Sequence, residues 1–135
     1  MAIFATQEWL DEIANLLNND PEYAEGAKDW EGDFLYTVEA DDVEPNTTYY
    51  YMDLYHGKCR KAVMLKDPSE VKAEFELSAA YSTWKKILTG ELDGNKAMMT
   101  RKLKFKGNIT KVMRQTKAGQ AYAKSLTPMK TEWAK

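Results

Sequence analysis

A lone cysteine, Cys59, excludes an internal disulfide and any cysteine-rich zinc site. Histidine is as scarce, with His56 the only one, and no glycine-rich phosphate loop, metal-ligand spacing or nucleophile elbow occurs. No apolar run approaches the ~20 residues needed to cross a bilayer. The opening MAIFATQEWLDE lacks the basic-then-apolar order of a signal peptide, and Glu132-Trp133-Ala134-Lys135 is neither a prenylation box nor a peroxisomal address. A cytoplasmic location is therefore expected. Internal repeats, low-complexity tracts and linkers are also missing, so residues 1–135 read as one domain. A chain of this size buries roughly two-thirds of its unfolded surface.

The hydrophobic fraction of 44% and the spread of aromatics belong to an ordered globular protein. The net charge of −2 hides an asymmetry. Residues 1–56 carry fourteen Asp/Glu and a single cation, Lys28, whereas residues 57–135 carry seven Asp/Glu and eighteen Lys/Arg. Such polarity suits docking onto an anionic membrane or ligand, and it serves equally to draw the two halves together. With a pI near 5.5 and no recognised motif, nucleic acid is not an expected partner.

Trp9, Ile13, Leu16 and Leu17 recur with helical spacing, and Glu8, Asp11 and Glu12 suit the positive end of the helix dipole. Asp20-Pro21 then caps and starts a short second helix whose buried side carries Tyr23, Ala27 and Trp30. Alternation predicts strands over about Asp33–Ala40, Thr47–Tyr55 and Cys59–Leu65, the last two joined by a His56-Gly57 turn. A fourth strand, about Ala73–Leu77, leads into a helical stripe of Ala80, Trp84, Ile87 and Leu88 that Gly90 stops. After Asp93-Gly94, residues Asn95–Thr100 make a further helical turn or two. Arg101–Lys106 alternates basic and apolar residues, which predicts a half-buried strand with Leu103 and Phe105 inward. Ile109, Val112 and Met113 open another helix, and Thr116–Leu126 is the last. The order is α+β.

Phe75-Glu76-Leu77, Tyr81-Ser82-Thr83-Trp84-Lys85-Lys86-Ile87-Leu88-Thr89-Gly90, Asn95-Lys96-Ala97-Met98-Met99 and Lys102-Leu103-Lys104-Phe105-Lys106-Gly107-Asn108 follow one another in this chain. This ordered set resembles the sterol carrier protein (sterol-binding domain) family, most closely over about residues 73–115. Trp30 before the first strand and Gly57 in the hairpin fit as well. One departure is Arg101, where the family often has glycine; a bulky cation there bears on a close backbone contact or the cavity mouth. The resemblance implies a five-stranded, mostly antiparallel sheet covered on one face by helices. It also implies an elongated apolar tunnel between sheet and helices, which takes sterols, fatty acids, acyl-CoA or phospholipids in different relatives.

The candidate tunnel residues are then Trp84, Ile87 and Leu88, followed by Ala97, Met98 and Met99, then Leu103 and Phe105, and finally Ile109, Val112 and Met113. Methionine repacks readily around ligands of several shapes. Periodicity cannot separate a lined tunnel from a packed core, so the lipid inference rests on the resemblance. Each buried methylene contributes about 0.8 kcal/mol, which lets a tail of about a dozen carbons bind without a specific polar contact.

Arg101, Lys102, Lys104, Lys106 and Lys111 form a second candidate feature, for transient docking on an anionic membrane. Alternating lysines on an edge strand also discourage edge-to-edge pairing. Tyr49, Tyr51 and Tyr55 share the sheet face opposite Tyr50, Met52 and Leu54, and the pattern leaves open which face is inside. A homodimer through the Tyr49/Tyr51/Tyr55 face would bury it.

No catalytic residue, metal site or cofactor is expected. His56 reads as an exposed turn residue, Cys59 as a small core hydrophobe, and Asp41-Asp42 as a solvated turn. The expected function is lipid binding and transfer by sequestration, with the helices near residues 80–100 and 116–130 moving aside for entry. The alternative is a non-enzymatic accessory module that presents lipid-like substrates, such as polyprenyl quinone precursors, to partner enzymes.

Overall fold

Side chains in an extended strand alternate between faces, so the pairing register of the central strands decides what is inside. In the computed structural model, which describes residues 2–133, the strands are β1 (Ala2–Ile3), β2 (Glu31–Glu39), β3 (Thr48–Tyr55), β4 (Lys58–Leu65), β5 (Phe75–Ala80), β6 (Lys104–Lys106) and β7 (Thr131–Glu132). The helices are α1 (Gln7–Asn18), α2 (Pro21–Gly26), α3 (Tyr81–Leu88), α4 (Gly94–Met99), α5 (Ile109–Arg114) and α6 (Thr116–Ser125). Five strands form one sheet in the order β4-β3-β2-β5-β6, antiparallel except for the parallel β2–β5 pair. This is the expected α+β architecture. Ala134 and Lys135, read for a targeting signal, lie outside the described residues.

The register answers the question of faces. Tyr36 pairs with Tyr50, Phe34 with Met52 and with Phe75, and Leu77 with Phe105. Tyr50, Met52 and Leu54 are buried beneath the helices together with Val38, Phe75 and Ala79. Tyr36 and Tyr50 stack with ring centroids 4.6 Å apart, and Phe34, Phe75 and Trp30 form a second stack. Full burial of side chains this large contributes roughly 1.5–3 kcal/mol each. Tyr49 and Tyr51 therefore lie on the outer face, where Tyr51 donates to the Asp33 carboxylate at 2.7 Å.

A β-bulge at Asp53/Leu54 sets the start of β4: Cys59 aligns with Leu54 and Lys61 with Asp53. Arg60 is the extra residue, free to reach Asp53 at 3.0 Å and the Tyr55 ring at 4.0 Å. The bulge is what lets Cys59 point inward while Lys61, two residues on, points outward. The His56-Gly57 turn before it has φ of 49° and 78°, the left-handed pair that a tight hairpin requires. A Cβ at Gly57 would stand 2.5 Å from the Ala24 carbonyl oxygen, so only glycine lets the hairpin sit against α2.

Helix α1 starts where the Thr6 hydroxyl accepts from the Trp9 N–H. It buries Trp9, Leu10, Ile13 and Leu17, with Leu10 in place of the expected Leu16. Its two ends are fastened to the outermost strand by side-chain amides. Gln7 donates to the Ala62 carbonyl at 2.8 Å and accepts from the Met64 N–H at 2.9 Å. Asn18 does the same with the carbonyl and N–H of Cys59, at 3.0 and 2.8 Å.

Two expectations shift. The fourth strand runs over Phe75–Ala80 instead of Ala73–Leu77, because parallel pairing with β2 continues as far as Glu39↔Ala80. Ala80 therefore ends a strand and begins no helical stripe. The predicted strand over Arg101–Lys106 shrinks to Lys104–Lys106, since Arg101 has φ 63° and belongs to a turn. The parallel β1–β7 pair was not anticipated at all.

Asp41 is not merely a solvated turn residue. Its carboxylate accepts from the Ser82 N–H and hydroxyl at 2.9 and 2.7 Å, and from the N–H groups of Val43 and Glu44. Helix α3 has no side-chain cap of its own, so the β2–β3 loop supplies one. The Ser82 N–H, first among these donors, holds the Asp41 carboxyl well below its ordinary value. The stabilisation is thus present above pH 3.8 and fades as pH falls from there toward the lowered folded value. Asp41→Ala is expected to lower the unfolding free energy by about 1–2 kcal/mol at neutral pH, measured by urea denaturation, with a smaller deficit in acid.

Candidate functional site

The path from α4 to α5 builds a groove on the β6 side of the sheet. Asp93 caps α4 by accepting from the Asn95 N–H, and Ala97, wholly buried, anchors the helix to the core. The helix ends at Thr100, after which the Arg101 N–H bonds the Met98 carbonyl and the Lys102 N–H bonds the Ala97 carbonyl at 2.8 Å. Paired bonds of this kind require a left-handed residue between them, a place usually taken by glycine. Here it is Arg101. The reversal drops Leu103 into the core and starts β6, which pairs with β5.

Gly107 then has φ 134°, and a Cβ there would meet the Phe75 ring at 2.6 Å. Asn108 caps α5 through the N–H groups of Thr110 and Lys111. The result is an open groove of ≈ 600 Å³ lined by Met98, Arg101, Leu103, Lys104, Phe105, Gly107 and Ile109. Sites for small ligands span about 300–1,000 Å³. Beneath it Phe105 touches Phe75, whose ring stacks on Trp30 and Phe34.

Four of the apolar candidates, Met98, Leu103, Phe105 and Ile109, meet in this groove together with the basic candidates Arg101 and Lys104. Trp84 and Ala97 are buried behind it, and the Trp84 indole donates to the Thr37 carbonyl at 3.0 Å. Ile87 and Val112 are partly buried against the core. Leu88, Met99 and Met113 project into solvent, Met99 being 82% and Met113 69% exposed.

The cations divide in two. Lys104 pairs with Glu39, Lys106 with Glu76 and Lys111 with Glu74. Lys111 also donates to the Glu31 carbonyl and lies over the Trp30 ring, tying α5 to β2 and β5. Arg101 and Lys102 have no acidic partner among the described residues.

Residues not named as site candidates from the sequence lie deeper. Tyr23 meets Tyr122 edge-on at 6.4 Å, and the Tyr122 hydroxyl reaches the Met52 sulfur at 3.7 Å, near the Tyr36–Tyr50 stack. Burial raises the pKa of all four phenols. No spacing in the chain links α2, the sheet and α6, so the cluster emerges only from the fold. Burial likewise pushes the Cys59 thiol up to about 11, which suppresses its nucleophilic thiolate.

His56 is more engaged than a bare turn residue. Its Nδ1 lies 2.7 Å from the Lys28 carbonyl and its Nε2 2.7 Å from the Glu31 carboxylate. Both partners are acceptors, so the imidazolium, with two N–H donors, satisfies them best. Glu31 foremost raises the His56 pKa, and His56 foremost lowers that of Glu31.

Sequence comparison decides the affiliation: the SCP-2 sterol transfer family matches residues 10–120. The chain belongs to this family. No curated protein gives a significant match. Among SCP-2 structures, the crystal structure of sterol carrier protein 2 is similar at 30% identity, with TM-score 0.77, covering 90% of this chain and 95% of that one. A conserved hypothetical protein of Thermus thermophilus is 28% identical, with TM-score 0.81 and coverage of 96% and 91%. Palmitated sterol carrier protein 2-like 2 from Aedes aegypti shares the fold at 13% identity, with TM-score 0.54 and coverage of 84% and 90%. Membership of the SCP-2 family gives the chain a lipid-binding or lipid-transfer role. Among the described residues, no helix is long and apolar enough to cross a membrane.

Two outcomes follow for the site. Arg101→Gly is expected to raise the unfolding free energy by about 0.5–1 kcal/mol, because glycine relieves the left-handed strain; urea denaturation reads this, with Lys102→Gly showing no gain. For His56 the folded pKa lies above the ordinary 6.5, so its stabilisation is full below that value and is lost as pH rises through the folded pKa. His56→Gln should therefore lessen the fall in thermal midpoint seen from mildly acidic to mildly alkaline buffer.

Proposed function

We propose that this chain carries a single-tailed lipid, of fatty-acid type, whose hydrocarbon enters between the sheet and the helices by way of the groove at Met98, Leu103, Phe105 and Ile109. The observation that carries this reading is the open groove itself, lined by four apolar side chains, with Phe105 packed on the Phe75 ring of the aromatic interior. The palmitated Aedes aegypti relative supports the choice of ligand class. The helices over this region are lightly held. Helix α4 buries only Ala97, and α5 buries no residue fully. Elements with so little burial are the cheapest to displace. Trp84, Ile87, Leu88, Met99, Val112 and Met113 would then complete the path as these helices shift.

The chain itself performs no chemistry in this reading. Its thiol is buried, its imidazole is held by two acceptors at a hairpin, and sequestration needs neither. A dozen-carbon tail gains about 0.8 kcal/mol per buried methylene, roughly 10 kcal/mol in all before the cost of association is subtracted, so the affinity grows with the length of tail buried.

The second reading, an accessory module serving enzymes of lipid-like substrates, or a homodimer, draws on the outer sheet face. There Tyr49 and Tyr51 are half-buried, Tyr55 is exposed, and the helices cover the opposite face.

Native mass spectrometry of the purified protein followed by organic extraction reports bound lipid and subunit count together. The expected result is one lipid per chain and displacement of a fluorescent fatty acid at micromolar levels. Met98→Gln and Ile109→Gln should each weaken that binding about tenfold. No uptake of fatty acid, acyl-CoA, phospholipid or sterol would defeat the carrier reading.

A further inference from the structure

The tyrosine cluster beneath α6 plays no part in the groove, and its hydroxyls lack the partners that buried polar groups ordinarily find. Tyr36 and Tyr50 pair across β2 and β3, and their rings stack 12° from parallel on the helix side of the sheet. Tyr122 of α6 reaches down to Met52 of β3, and Tyr23 of α2 meets it edge-on. The Tyr122 pKa is raised first by burial and then by the nearness of the other three phenols. Among the described residues, the hydroxyls of Tyr23, Tyr36 and Tyr50 form no hydrogen bond, and that of Tyr122 has only the Met52 sulfur, a weak acceptor. The Tyr81 hydroxyl is also unpartnered but wholly sealed, whereas those of Tyr23, Tyr36 and Tyr50 keep open space beside them.

The cluster stands in line with the groove. Strand pairing sets Tyr50, Tyr36, Leu77 and Phe105 in one row across β3, β2, β5 and β6, and Phe105 lines the groove. From Phe105 to Tyr50 is three strand spacings of about 4.8 Å, roughly 14 Å, the reach of an extended chain of about a dozen carbons. A tail laid along that row, with its carboxylate at the rim beside Arg101, brings its far end to the phenols. A methyl group there leaves the hydroxyls unpaired, whereas an alcohol both gives and accepts hydrogen bonds. A second carboxylate would have to be stripped of water, so an ionised far end is excluded. Burial holds the phenols protonated, which keeps them donors.

We infer that the tyrosine cluster is an inner polar subsite that takes an oxygen at the far end of the tail, so that the preferred ligand is a fatty acid hydroxylated at its methyl end, about a dozen carbons from its carboxylate. The path of the tail is that of the carrier reading, on which this subsite rests. Tyr36 and Tyr50 supply the hydroxyls on the sheet side, and Tyr122 closes the subsite from the helix side.

The test titrates delipidated wild-type protein calorimetrically with dodecanoate and with 12-hydroxydodecanoate. A purely apolar cavity takes the hydroxylated acid less tightly, because its alcohol loses water and gains nothing. Here it should bind at least as tightly as dodecanoate, a comparison that needs no variant. Tyr36→Phe combined with Tyr50→Phe keeps the ring stack and should weaken 12-hydroxydodecanoate about tenfold relative to dodecanoate. With 3-hydroxydodecanoate, whose alcohol stays near the rim, the same variant should show no such relative loss. Weaker wild-type binding of 12-hydroxydodecanoate than of dodecanoate overturns the subsite and leaves the carrier reading standing. So does a double variant that changes both affinities in equal proportion. Uptake of neither acid defeats the carrier reading and the subsite together.

Discussion

Strand β2 is the member on which the sheet depends, because it joins an antiparallel meander on one side to a parallel partner on the other. Its side chains Phe34, Tyr36 and Val38 must point toward the helices for either pairing to bury anything. A slip of one residue would turn all three outward and bring Leu35 and Thr37 inside. The stack of Tyr36 on Tyr50, and of Phe34 between Trp30 and Phe75, makes that slip costly. Trp84, pressed edge-on against Tyr36 and bonded to the Thr37 carbonyl, extends the same constraint to α3.

Much of this architecture is legible in the sequence because it is written in short periods. The alternation of Tyr50, Met52 and Leu54, the cap at Asp20, the Asp93-Gly94 turn and the His56-Gly57 hairpin all depend on neighbours within a few residues. Which face of β3 is inside was not legible, since Tyr49 and Tyr51 are as apolar as Tyr50 and Met52. Only the pairing partners decide it. The cap that Asp41 lends to Ser82 spans forty-one positions and has no local signature. The same holds for the tyrosine cluster beneath α6.

The groove shows both sides of this divide. Its family motif is visible in the sequence as Ala97-Met98-Met99 and Leu103-Lys104-Phe105, yet alternation alone overextended the strand back to Arg101. The backbone reverses there instead, through paired carbonyl bonds to Met98 and Ala97. Arginine meets here, at a cost in strain, a geometric need that glycine would meet freely, and it adds a cation to the rim. Similarly, two adjacent methionines of α4 part company in space: Met98 lines the groove, while Met99 faces water.

The amides of Gln7 and Asn18 occupy backbone groups of β4 that a further strand would otherwise claim. In effect, α1 gives the open margin of the sheet a substitute for the missing neighbour, and Lys58, Arg60 and Lys61 add like charge along it. The far margin is only three residues long and carries Lys104 and Lys106. Neither rim offers a template for continuous ribbon growth, which protects a protein with this much aromatic and aliphatic interior from edge-to-edge assembly.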